Sequence, residues 1–97
     1  IVIVKGANTA ILLPSGKVYY NSTGNPGMAT AGAGDVLTGM LTSLLAQGYT
    51  GADAALLAVY LHGLAGDLAS QALGQRSLIA TDIIKNIGQA YLMLEEL

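Results

Sequence analysis

Apolar residues follow two rhythms along this chain, and the change of rhythm divides it. In the first 21 residues they fall in short blocks at 1–4, 9–13 and 17–21, each the length of a strand and too short for a stable helix. Pro14-Ser15-Gly16 separates the second block from the third. Proline sets φ early in a turn and glycine accepts positive φ, so these two blocks predict a β-hairpin. The unbroken apolar block 1–4 predicts a strand covered on both faces. From Asp35 the rhythm becomes helical: Val36, Leu37, Met40, Leu41, Leu44 and Leu45 recur at three- and four-residue spacing up to Gln47-Gly48, a stripe on one helix face. A second helix is expected over 52–73, with Leu56, Leu57, Tyr60, Leu61, Leu64 and Leu68 inward and with Gly63 and Gly66 weakening its regularity. Thr81-Asp82 offers a cap and an acidic first turn for a third, whose Ile83, Ile84, Ile87, Tyr91 and Leu94 form a stripe facing the core. Between the rhythms lies a loop, 22–34, holding Pro26 and four of the 13 glycines, too many backbone breakers for a regular element.

Three strands followed by three helices make an α/β unit, and 97 residues suffice for one core. Six acids and four Lys or Arg are scattered singly for a net charge of −2, which leaves no basic footprint for nucleic acid or an anionic membrane. The absence of cysteine excludes disulfides, thiolate zinc sites and cysteine nucleophiles, and permits a reducing cytoplasm. Mean hydropathy is +0.55, but the apolar uncharged run 36–52 is broken by Gly39, Gln47, Gly48 and Gly51, whereas a span takes about 20 mainly apolar residues. A buried α/β core accounts for the hydropathy. The chain opens on IVIVKG without an initiator Met, which leads us to expect that strands and helices flanking the first strand belong to a missing N-terminal region.

The chemistry concentrates where the loop becomes helix. The start of a helix exposes unpaired N–H groups and the positive end of the macrodipole, so Gly32, Ala33 and Gly34 would turn backbone donors toward an anion. The same field favours a carboxylate at Asp35, one residue further on, able to take a proton from a substrate hydroxyl. No GK[ST] follows the glycines and no strand–GxGxxG–helix precedes them, so neither a Walker loop nor a dinucleotide fingerprint is present. A bare GxGD serves equally as a helix cap.

The longer string NPGMATAGAGDVLTGMLTSLLAQG at 25–48 resembles the signature of the ADP- or ATP-dependent NAD(P)H-hydrate dehydratases of the ribokinase-like superfamily, N-x-G-M-A-T-G-G-x-G-D-V-L-T-G. KGANT at 5–9, AVYLHGLAGDLA at 58–69 and LIATDII at 78–84 extend the resemblance over essentially the whole chain. Ala31 departs from it, standing where the family more often has glycine; a positive φ there would be strained by ~1 kcal/mol or more. The resemblance implies the C-terminal portion of a ribokinase-like three-layer α/β/α catalytic domain. It carries Lys5, Gly6, Ala7, Asn8 and Thr9 to a nucleotide site, makes Gly32, Ala33 and Gly34 the anion hole with Gly34 also near the nucleotide, and makes Asp35 the acid-base residue that touches the hydrated nicotinamide. ADP or ATP enters as co-substrate with Mg²⁺ expected on it, the reaction being repair of hydrated NADH or NADPH in the cytoplasm.

Other readings compete at several positions. Lys5 also suits a solvated strand end, and Asn8 and Thr9 a turn. Asn25, Gly27, Met28 and Thr30 match the family loop, yet Asn25-Pro26-Gly27 is ordinary turn composition. His62 and Asp67 read as hydrogen-bonded polar groups of a helix, and Met28 and Met40 as filler. For the whole, a ribokinase-like kinase of the hydroxyethylthiazole or sugar type is the competing enzyme, and a non-catalytic nucleotide-binding fragment the competing module. Oligomerisation or a missing N-terminal segment is expected to complete the surface.

Overall fold

The structure is a computed structural model that describes residues 1–6 and 8–96. Strands β1 (Val2–Val4), β2 (Ala10–Leu12) and β3 (Val18–Tyr20) form an antiparallel meander in the order β1-β2-β3. Rows run Val2–Leu12–Val18, Ile3–Ile11–Tyr19 and Val4–Ala10–Tyr20 across it. Leu13 N–H donates to Lys17 O at 2.9 Å and Gly16 N–H to Leu13 O at 3.0 Å, with Gly16 at φ 90, so the predicted hairpin forms at the predicted turn.

Alternation along strands sends neighbouring side chains to opposite faces. Ile11 is buried and Ile3 packs against the core, whereas Val2, Val4, Leu12, Val18 and Tyr20 are exposed. The double coverage expected of residues 1–4 is therefore not supplied within this chain: the helices cover one face of the sheet only.

Helix α1 (Ala33–Ala46) and helix α3 (Ala80–Glu95) both pack on helix α2 (Gly51–Leu73). Of the residues expected inward on α2, Leu61 is buried, Leu56, Leu57, Leu64 and Leu68 pack against the core only in part, and Tyr60 is half-buried. Ala54, Ala55, Ala58, Val59, Gly63, Ala65, Gly66 and Ala69 are buried with Leu61. Small side chains let neighbouring backbones approach closely, which outweighs the larger transfer gain of the leucines at the centre of a crowded three-helix contact. Gly63 and Gly66 do not interrupt the helix.

By length and composition α2 is the one helix among the described residues long and apolar enough to cross a membrane, a property shared by core helices, and its small-residue face is buried here.

Two further details differ from expectation. The cap of α3 is Ile79, not Thr81, and the Asp82 carboxylate accepts from Ile79 N–H at 3.0 Å. On the helices themselves, Leu45 and Ile84 point outward at 47% and 52% exposure, at the margin of stripes otherwise anchored by Leu37, Met40, Leu44, Ile83 and Ala90.

Candidate functional site

The glycine-rich loop is shaped by α2. Asn21 Nδ2 donates to Thr23 O at 3.0 Å and to Thr23 Oγ1 at 2.9 Å, and Thr23 Oγ1 donates to Tyr60 O at 2.8 Å. A Cβ on Gly63 would overlap Thr23, coming within 2.7 Å of its backbone carbon, and one on Gly66 would overlap Met28. The chain then turns through a single 3-10 turn, Pro26–Met28, capped by Asn25, whose side chain accepts from Gly27 N–H at 3.0 Å. Asp67, one residue beyond Gly66, accepts from Gly24 N–H at 3.0 Å and from Asn25 Nδ2 at 2.9 Å. Gly27 lies against the backbone of Gln75, where a Cβ would meet Cα at 2.8 Å. Among the described residues no buried side-chain nitrogen or oxygen lacks a partner.

At the end of the loop Gly32 adopts φ 87 as the residue before α1. The positive φ thus falls on Gly32, and no described non-glycine residue has one. Ala31 carries none of the strain that its substitution for glycine suggested.

Helix α1 begins at Ala33, three residues before the apolar stripe opens at Val36, with Asp35 exposed in the first turn. Ala33 N–H donates to Thr30 O at 3.2 Å, and Ala33 O lies 2.9 Å from His62 Nε2. Of the three residues expected at the anion hole, Ala33 therefore has its donor committed to the loop. Gly34 N–H makes no hydrogen bond among the described residues. The Lys5 ammonium lies over this helix start: a Cβ on Gly34 would come 2.8 Å from Lys5 Nζ. A side chain at position 34 would displace that ammonium, the free end of a flexible side chain.

His62 is the polar link between α2 and the start of α1. Burial holds its imidazole below the ordinary value of 6.5, opposed by the hydrogen bond to Ala33 and reinforced by the charge of Lys5. It is the hydrogen-bonded helix histidine that its neighbours predicted.

Lys5, Gly6 and Thr9 from the β1–β2 connection, loop residues 23–26, Ala33 and His62 line one cavity of about 600 Å³ with an apolar floor including Leu37 and Val59. This volume is typical of a small-ligand pocket. Asn8 is exposed and does not line it, Asp35, Gly32 and Gly34 stand outside it, and Ala7 lies outside the described residues. Among the described residues no three His, Asp or Glu side chains gather where they could hold a metal ion. The loop anchors Asn21, Thr23 and Asp67 are the residues that sequence reasoning undervalued. Their signal was the pairing of Gly63 and Gly66 on one helix face next to an acid.

A loop closed by glycine against a helix start, beside a strand-end lysine and behind a small antiparallel sheet, is the arrangement of ribokinase-like α/β proteins, and solved structures of that class match it. The ADP/ATP-dependent NAD(P)H-hydrate dehydratase of Bacillus subtilis, crystallised with ATP and Mg²⁺ and soaked with CoA, superposes with a TM-score of 0.88 at 33% identity over 93% of this chain and 33% of that one. A family profile described as NAD(P)H-hydrate dehydratase matches residues 1–89, and the chain belongs to that family. The bifunctional NAD(P)H-hydrate repair enzyme Nnr of Moorella thermoacetica is 50% identical over 96 residues, 99% of this chain and 18% of that protein. The ADP-dependent (S)-NAD(P)H-hydrate dehydratase of Neisseria meningitidis is 45% identical over 73 residues, 75% of this chain and 25% of that protein. The chain thus spans a minor part of each relative.

Proposed function

We propose that the protein containing this chain is a nucleotide-dependent dehydratase that restores NADH and NADPH from the S form of their hydrates. The observation that carries the reading is the junction at Gly34: a helix-start N–H with no partner among the described residues, the Lys5 ammonium beside it, and the Asp35 carboxylate next to it in an exposed first turn. Electrostatic donors and an acid-base group side by side are what phosphoryl transfer to a hydroxyl needs.

In this reading ADP or ATP occupies the cavity along Lys5, Gly6 and Thr9, with its terminal phosphate at the start of α1. Asn8 and Ala7 belong to the same connection. Gly32 and Gly34 complete the anion hole around Ala33, whose N–H serves the loop. Asp35 draws the proton from the hydroxyl at C6 of the hydrated ring as its oxygen takes the phosphoryl group. The ring nitrogen lone pair then expels phosphate and a ring proton is lost, regenerating the dihydropyridine. One phosphoanhydride is hydrolysed for each hydrate repaired. A lone exposed carboxylate does not make a protein-held metal site, so the donor set fits Mg²⁺ carried by the nucleotide phosphates, where it supplies charge neutralisation.

The chain is the C-terminal part of a single catalytic domain, and its own turnover is nil, because the surface in front of Asp35 has to come from the remainder of that domain or from another copy. The working compartment is the cytoplasm. The test is to incubate the full-length protein with hydrated NADH and either ADP or ATP. Recovery of NADH that depends on the nucleotide supports the reading; phosphorylation of a thiazole or sugar alcohol with no NADH recovered overturns it in favour of the kinase.

A further inference from the structure

Asp67 has no part in the chemistry above, yet its side chain hydrogen-bonds the turn at residues 24–25 to helix α2. Its two carboxylate oxygens are both used: Oδ2 accepts from Gly24 N–H at 3.0 Å and Oδ1 from Asn25 Nδ2 at 2.9 Å. The amide of Asn25 is spent in turn, because its Oδ1 accepts from Gly27 N–H at 3.0 Å. Gly24 and Asn25 line the same cavity as Lys5, Gly6 and Thr9. We infer that Asp67 is a positioning residue, which through Asn25 sets the part of the ligand cavity wall formed by Gly24 and Asn25 and thereby governs nucleotide affinity. The inference rests on the nucleotide reading of that cavity.

The direction of every bond in the relay is fixed, and this makes the claim specific. With Asp67→Asn the introduced amide oxygen still serves Gly24, but the introduced NH₂ group meets Asn25 Nδ2, donor against donor. Turning the Asn25 amide removes that conflict and creates another at Gly27 N–H. With Asn25→Asp two carboxylates face each other at the present 2.9 Å contact. The exchange of both residues, Asp67→Asn with Asn25→Asp, satisfies all three positions: the new amide on α2 accepts from Gly24 and donates to the new carboxylate in the loop, which accepts from Gly27. A merely structural acid on a helix has no reason to be rescued by that partner.

Asp35 is carried by α1 and stands outside the cavity, so the effect belongs on nucleotide KM more than on kcat. A wall in place for a tenth of the time weakens binding about tenfold.

The experiment compares full-length wild type, both single variants and the double exchange by nucleotide KM and kcat in hydrate repair, and by amide hydrogen exchange over residues 21–29. The expected result is a KM for ADP or ATP raised about tenfold in each single variant with kcat changed less, faster exchange at Gly24 and Gly27, and return of both readouts toward wild type in the double exchange. Single variants with wild-type KM and exchange, or a double exchange no better than the singles, overturn the proposal. A variant that fails to fold leaves the other single and the double exchange to decide. Wild type that binds neither ADP nor ATP overturns the nucleotide reading and the affinity role built on it; the exchange data then decide the clamp by themselves.

Discussion

Two flanks of this chain are built to different standards. On the flank where the loop meets α2, Thr23 and Met28 fill the space left by Gly63 and Gly66, and Thr23 and Asn25 hydrogen-bond to the helix through Tyr60 O and Asp67. On the other flank, Val2, Val4, Leu12, Val18 and Tyr20 form apolar rows across an outward face of the sheet, and Tyr20 is 73% exposed. The loop flank is tied to α2 by hydrogen bonds within this chain; the sheet flank has the composition of an interior and is exposed here. Contiguous apolar surface of this kind marks a contact region. The wall of the cavity is therefore a property of this chain, whereas the surroundings of the sheet depend on what else it is joined to.

Crowding the loop flank should do the most damage. Gly63→Ala places a methyl group against the backbone of Thr23, which cannot turn aside, and overpacking of this kind costs ~1–3 kcal/mol; denaturant unfolding should show a loss toward the upper end. Gly66→Ala meets the Met28 side chain first, which has rotamers to spare, so we expect about 1 kcal/mol. Equal losses at the two positions would show that the loop yields as readily as a side chain, contrary to the contrast drawn here.

The link from α2 to α1 predicts a pH effect. His62 has its affinity for a proton lowered on folding, chiefly by burial. The unfolded chain therefore takes up the proton first as pH falls, and the stability that neutral His62 contributes declines below about 6.5, levelling off once the folded form is also protonated. Thermal melts between neutral and mildly acidic pH should slope in wild type and flatten in His62→Gln. An unchanged slope would move the titration elsewhere.

The sheet flank should respond least. Tyr20→Ser should alter the stability of the isolated chain by no more than ~0.5 kcal/mol, as for other exposed positions. In the longer protein the same change should cost about 1–3 kcal/mol, the scale of uncovering a large apolar side chain. A small loss in both would mean that this face remains bare.

How far the sequence led differs between the same two flanks. The hairpin, the loop and the order of the helices were legible because turn chemistry and periodicity are local. The inward face of α2 was legible at Leu61 but not at its small residues, since hydropathy ranks Leu56 and Leu64 above Ala58 and Gly63, and only tertiary crowding reverses the order. Asp35 at a helix start was readable from GAGD. Asp67 was not, because its partners Gly24 and Asn25 are 43 and 42 residues away and a helix acid has no signature of its own. The Ala33 N–H, expected at the anion hole, is bonded to Thr30 O by a turn whose geometry composition alone does not specify.

The central claim is that Asp35 performs acid-base chemistry at the helix start while the cavity beside it binds nucleotide. Asp35→Asn in the full-length protein separates the two most directly, by assaying NADH recovery from the hydrate alongside equilibrium binding of ADP or ATP. The account predicts turnover reduced by about 10²–10⁴, the usual contribution of a positioned general base, with nucleotide affinity within about threefold of wild type. Turnover near the wild-type rate with affinity intact would place the base elsewhere and contradict it.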